Sequence, residues 1–164
     1  MAGKYATKTE VPVERSRAEI ESTLERYGAD AFAYATEGAT VRIMFRMAGR
    51  QYRFGLELPP KDRPDFISYK QGSTTFLRAD GVALKMWEQA CRTQWRALAL
   101  VIKAKLEAVA AGISTVEDEF LANMILPDRQ TVGEWVRPQV EEAYRVGVMP
   151  AGLLLEGPKR PRRA

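Results

Sequence analysis

Residues 40–58, TVRIMFRMAGRQYRFGLEL, carry the clearest structural signal in the chain. Val41, Ile43, Phe45 and Met47 alternate with Thr40, Arg42, Met44 and Arg46. After Ala48-Gly49, Tyr52, Phe54, Leu56 and Leu58 alternate with Gln51, Arg53, Gly55 and Glu57. A period of two is that of a strand with one buried face, and a short glycine turn joins such strands into a hairpin. Upstream, Phe32 and Tyr34 alternate ahead of Glu37-Gly38, which adds a third strand. A loop at 48–49 sets Phe45 opposite Tyr52 and Ile43 opposite Phe54. A loop at 37–38 sets Tyr34 opposite Val41 and Phe32 opposite Ile43. Both registers collect the large apolar residues on one face, so turn length and pattern agree.

Helical spacing surrounds this meander. Ile20, Leu24 and Tyr27 predict a helix over about 14–27, with Ser16 and Glu19 at capping-box spacing, Pro12 pointing to a slightly earlier start, Val13 packed against it and Gly28 as its stop. Leu84, Trp87, Cys91, Trp95, Leu98, Ile102, Leu106 and Val109 form one stripe of a long helix, about 81–111, with Asp80 as its N-cap. Ser114 with Glu117, and Thr131 with Glu134, mark the starts of two shorter helices. The last ends near Gly147 and contains Pro138, which predicts a kink or an early break. Residues 59–80, with Pro59, Pro60, Pro64 and Gly72, read as a long connection, either mobile or functional. The expected architecture is α+β: an N-terminal helix, a three-stranded antiparallel meander packed on the long helix, and two shorter C-terminal helices. Residues 1–12 read as an extended N-terminus, 13–149 as a single domain and 150–164 as a disordered basic tail.

The composition removes much chemistry. The chain of 164 residues has no histidine and one cysteine. That excludes a Ser-His-Asp triad, a Cys-His pair, histidine-ligated metals, an internal disulfide and a thiolate zinc cluster. Phosphate-binding, dinucleotide and nucleophile-elbow signatures are missing. Glu117, Asp118 and Glu119 sit in the first turn of a predicted helix, where acids favour the positive end of the dipole rather than a metal. Cys91 falls inside the apolar stripe and reads as a small buried hydrophobe. Trp87 and Trp95 read as packing residues. No catalytic residue, metal or cofactor is expected. No apolar run is long enough for a signal peptide or a membrane span, so the expectation is a soluble protein of a reducing cytosol.

Charge is unevenly placed. Of 25 basic and 21 acidic residues, Lys159, Arg160, Arg162 and Arg163 lie in the last eight positions, which contain no acid, so the rest of the chain is neutral. That neutral body is polarised: residues 40–111 hold thirteen basic against six acidic side chains, and residues 112–156 hold a net five acids. Arg42, Arg46 and Arg53 share the strand face opposite the core. Lys85, Arg92, Arg96 and Lys103 fall on one line of the long helix, at spacings of 7, 4 and 7. A basic line can meet successive phosphates, although a charged helix face is more often simply solvated. With the tail, these arrays lead to the expectation of a non-catalytic protein that binds nucleic acid, mostly through phosphate. The alternative is a protein-binding adaptor or inhibitor of a host or phage enzyme, acting as an oligomer through its acidic C-terminal third.

Three stretches carry a family resemblance. They are Ser16-Arg17-Ala18-Glu19-Ile20 leading to Glu25-Arg26-Tyr27-Gly28-Ala29, then Trp87-Glu88-Gln89-Ala90-Cys91 through Trp95-Arg96-Ala97-Leu98 to Lys103-Ala104-Lys105-Leu106-Glu107-Ala108, then Thr131-Val132-Gly133-Glu134-Trp135. Together, over about 5–145, they resemble a family of small proteins from tailed bacteriophages and prophages. The resemblance implies a phage or prophage origin and action in the host cytoplasm; the nucleic-acid reading then places the protein in phage replication or recombination. It transfers no functional residue. In the family the turn before Thr131 reads Pro-Asp-Gly; here it is Pro127-Asp128-Arg129.

Overall fold

The alternation of residues 40–58 resolves into two strands of a three-stranded antiparallel sheet. The structure is a computed structural model that describes residues 6 and 8–148, and it orders the sheet β1 (Ala29–Glu37), β2 (Thr40–Met47), β3 (Arg50–Glu57). Phe45 faces Tyr52 and Ile43 faces Phe54, as the turn length requires. Ala48 and Gly49 have φ of 51° and 73°, the left-handed pair whose twist matches the strands. In the first hairpin the loop is Gly38-Ala39 rather than Glu37-Gly38. Tyr34 therefore faces Ile43, and Phe32 faces Phe45. Gly38, at φ 60°, takes the first loop position, where a left-handed residue is needed. The correction is two residues, an even slip, so no side chain changes face.

Five helices complete the fold: α1 (Val13–Arg26), the one-turn α2 (Pro64–Ile67), α3 (Asp80–Ala110), α4 (Val116–Phe120) followed by a 3₁₀ turn (Leu121–Asn123), and α5 (Val132–Val146). Several caps move. Ser16 lies inside α1, fully buried with its hydroxyl unpaired, and Pro12 is the N-cap. Ala79 precedes α3, with Asp80 as its first residue. Thr115, not Ser114, caps α4 by accepting from the Asp118 amide. The α5 capping box is complete. Thr131 Oγ accepts from the Glu134 amide, Glu134 accepts from the Thr131 amide, and left-handed Gly147 ends the helix. Pro138 does not break α5, which runs on for 15 residues.

The core joins four elements. The inner sheet face (Val41, Ile43, Phe45, Met47, Tyr52, Phe54) meets Ile20 and Leu24 of α1, Trp95, Ala99, Ile102 and Leu106 of α3, and Phe120. Each such buried side chain contributes about 1.5–3 kcal/mol. Phe120 holds the centre of an aromatic cluster, edge-on to Phe45 at 5.5 Å and to Phe54 at 6.0 Å, while Phe45 stacks on Tyr52 at 5.1 Å. The sheet is thus covered by α1 and Phe120 as well as by α3. Tyr34 departs from the expected core, being half-exposed beneath the Arg17 guanidinium, 4.4 Å from the ring centroid. Cys91 is buried, and burial pushes its thiol pKa up. Among the described residues, no helix is long and apolar enough to cross a membrane.

The connection 59–80 is not the long loop expected. It contains α2 and a second antiparallel hairpin, β4 (Ser68–Gln71) and β5 (Thr74–Leu77). Gly72, at φ 63°, opens the two-residue turn Gly72-Ser73. The turn before Thr131 forms without glycine: Arg129 itself takes φ 71°. Leu126 pairs with Gln130, and the Asp128 carboxylate accepts from the Gln130 amide, which holds the turn in place.

Candidate nucleic-acid interface

Strand alternation puts Arg42, Arg46 and Arg53 on one outer face, and the structure keeps them there. Each is met by an acid. Arg42 pairs with Glu37 at 3.0 Å, Arg46 with Asp30 at 2.7 Å and Arg53 with Glu134 at 2.5 Å, while Arg50 at the turn lies 3.7 Å from Glu117. Arg53 also donates to the Arg129 carbonyl at 3.2 Å. The Arg46 guanidinium holds the Asp30 carboxyl below its ordinary range. Between these pairs the face is occupied by Ala31, Ala33, Ala35, Met44 and Gly55. Exposed ion pairs of this kind are each worth only about 0–1 kcal/mol, and each offsets part of one arginine's charge.

The helix line keeps its geometry and loses its continuity. Lys85 and Lys103 are exposed and carry no partner among the described residues. Arg92 turns onto the Gln89 side-chain oxygen at 3.0 and 2.9 Å, with Glu88 3.9 Å away. Arg96 is ion-paired with Glu19 across the α1–α3 seam. That flank of α3 also receives the N-terminal segment: Gln89 donates to the Thr9 carbonyl and Thr93 to the Ala6 carbonyl. Arg92 and Arg96 therefore hold this flank in place, and the two lysines stand apart at either end. The tail cations Lys159, Arg160, Arg162 and Arg163 lie outside the described residues.

The second hairpin supplies what the outer sheet face lacks. Tyr69 and Phe76 are cross-strand partners, stacked at 5.6 Å and left 41% and 42% exposed. An aromatic pair across a ribbon holds it together, and the neighbouring one-turn helix braces β4. The Arg78 guanidinium lies over the Tyr69 ring at 5.0 Å, and Lys70 is exposed on the adjoining position. Neither cation has an ion pair among the described residues. At the base of the hairpin, Arg63 is held by Asp65 at 2.6 Å and covers Phe66, and Lys61 lies 4.5 Å above the Trp87 ring. Trp87 is itself fixed by donation to the Pro59 carbonyl at 2.8 Å.

Exposed rings with a cation beside them are elements of a single-strand contact: bases stack on the rings, and phosphates meet the charge. This group was legible in the sequence. Tyr69-Lys70-Gln71, Gly72-Ser73 and Thr74-Thr75-Phe76 form a short alternating pair around a two-residue glycine turn. The prolines before it hid the signal.

The acidic run is used structurally. Glu117 approaches Arg50, Asp118 interacts with the cap Thr115, and Glu119 binds Lys105 at 3.2 Å. Among the described residues no group of three or more acids or cysteines is placed to hold a metal ion. No family model, no curated protein and no solved structure matches this chain.

Proposed function

We propose that the protein is a non-catalytic nucleic-acid-binding accessory factor whose preferred ligand is a single strand. The phage replication or recombination setting, in the host cytoplasm, belongs to the same proposal. One observation carries it. The β4–β5 hairpin carries two stacked, half-exposed rings on one face, with Arg78 over Tyr69 and Lys70 exposed on the opposite face. Lys85 and Lys103 extend the charge along α3, and the tail adds four cations without an acid. The test is fluorescence anisotropy with a labelled oligothymidine and with a duplex, at low and raised salt, using the full chain and a chain lacking residues 157–164. The expected result is salt-sensitive binding that favours the single strand and falls about tenfold or more in the Tyr69→Ala, Phe76→Ala double variant. If the shortened chain binds neither nucleic acid at low salt, the reading fails for the domain.

A second reading, a protein-binding adaptor or homo-oligomer, draws on α5. That helix turns Gly133, Glu134 and Arg137 towards the sheet and leaves Trp135, Val140 and Val146 at least 39% exposed. Mass measurement in solution, with Trp135→Glu as the disrupting variant, tests this reading.

A further inference from the structure

Gly55 is an anomaly in the middle of β3. Its backbone is not left-handed, and a Cβ placed on it would meet nothing within 4 Å. Glycine inside a strand lowers stability by about 0.5–1 kcal/mol against alanine. It is usually explained by a bulge or by another group approaching the backbone. Neither is present: β2 and β3 pair in regular register, with Arg42 directly across from Gly55. The space over Gly55 is instead part of an open cavity of about 420 Å³ between the outer sheet face and the start of α5. On the other side, the start of α5 packs closely on the 3₁₀ turn because residue 133 is also glycine; a Cβ there would sit 2.8 Å from the Ala122 carbonyl oxygen.

Three arginines from three elements line this cavity: Arg42 of β2, Arg53 of β3 and Arg137 of α5. Two glutamates line it as well, and both are already engaged. Glu57 accepts from the Thr40 hydroxyl at 2.9 and 3.0 Å, and Glu134 accepts from Arg53 and from the Thr131 amide. Arg53 is locked in place, its side chain 22% exposed. Among the described residues Arg42 is held only by Glu37, in a pair whose side chains are 52% and 77% exposed. Arg137 has no ion pair or hydrogen bond among the described residues. Both glutamates are thus already engaged, while Arg137 keeps all its guanidinium donors and Arg42 part of its own, the converse of a cation site.

We propose that this cavity binds a phosphate group, seated over Gly55 between Arg42 and Arg137 with Arg53 as the fixed wall. The volume falls in the range of small-ligand sites, about 300–1,000 Å³, so the phosphate comes with a substituent. It is either a free phosphate compound or the phosphate of a nucleic-acid strand. The proposal stands independently of the hairpin.

The test is titration of the ¹⁵N-labelled full chain with inorganic pyrophosphate, followed by amide NMR. The expected result is saturable shifts at Gly55, Asn123 and Gly133, with affinity lowered about tenfold in Arg137→Gln, the loss of one charge-assisted contact. Gly55→Val, which fills the cavity from an ordinary strand position, should abolish the shifts. Competition then identifies the source. Displacement by a 5′-phosphorylated oligothymidine but not by its 5′-hydroxyl form assigns a strand end, displacement by both assigns the strand backbone, and displacement by neither assigns a free phosphate compound. If pyrophosphate moves none of these amides, or if Arg137→Gln binds within twofold of the parent, the proposal is overturned.

Discussion

The molecule contains two antiparallel ribbons built on the same alternation, and they end differently. In β1–β3 one face is sealed by α1, α3 and Phe120, and the other carries arginines that each find a carboxylate. In β4–β5 neither face is sealed, the aromatic pair is half-exposed, and among the described residues neither Lys70 nor Arg78 forms an ion pair, although Arg78 lies near enough to Asp65 to lower its pKa. An isolated two-stranded ribbon is marginal in water. Its rings therefore serve both to hold it and to present a surface. Basic residues in a strand do not by themselves make a nucleic-acid face. What matters is whether the fold brings acids alongside them.

The contrast can be broken first on stability. Phe45→Ala, in the sealed ribbon, should lose about 3–5 kcal/mol in urea unfolding. Tyr69→Ala with Phe76→Ala should lose less than about 1.5 kcal/mol, the worth of an exposed cross-strand pair. A comparable loss at both places would mean the second hairpin is packed into the core. Binding should invert that order: the hairpin variant loses single-strand affinity, and Arg46→Gln, whose charge Asp30 already cancels, changes it less than about twofold.

The next effect concerns the tie between Arg53 and α5. The Thr131 amide, reinforced by Arg53, depresses the Glu134 pKa. A depressed acid stabilises the fold fully above its unfolded value, near about 4.3, and that contribution disappears as pH falls through the lower folded value. Glu134→Ala should therefore cost about 1 kcal/mol at neutral pH, and its deficit against the parent should close as pH falls through the depressed folded value. Urea midpoints across that range check it; a deficit unchanged with pH removes the Glu134 charge from the account.

Two smaller effects concern strain and an orphaned hydroxyl. Arg129→Gly relieves a left-handed non-glycine residue and should gain about 1 kcal/mol. The Tyr52 hydroxyl is buried without a partner, and burial raises its pKa. Tyr52→Phe should then be neutral or stabilising by about 1 kcal/mol, read from the thermal midpoint. A clear loss would reveal a partner for that hydroxyl.

Much of the fold was legible because its signals are local. A period of two with glycine turns gave three strands and one correct register, and the other register failed only by an even slip at Gly38. The α5 capping box and the stops at Gly28 and Gly147 lie within a turn of the helices they bound. Where local chemistry offered two answers, as with Ser114 against Thr115, spacing alone chose the wrong one. The second hairpin was missed although its turn was visible, because three prolines nearby made the whole segment read as a loop.

By itself the sequence determined which side chains share a face, since the pitch of a strand or helix is set by the backbone. Arg42, Arg46 and Arg53 on one side of the sheet, and Lys85 to Lys103 on one side of α3, follow from that pitch. Only the tertiary structure decided which of those charges remain free. Arg96 meets Glu19 from 77 positions away, and Arg53 meets Glu134 from 81. Coulomb attraction depends on distance in space, and no periodicity along the chain encodes it. The same holds for the space over Gly55, which exists because α5 returns to stand beside the sheet without covering it.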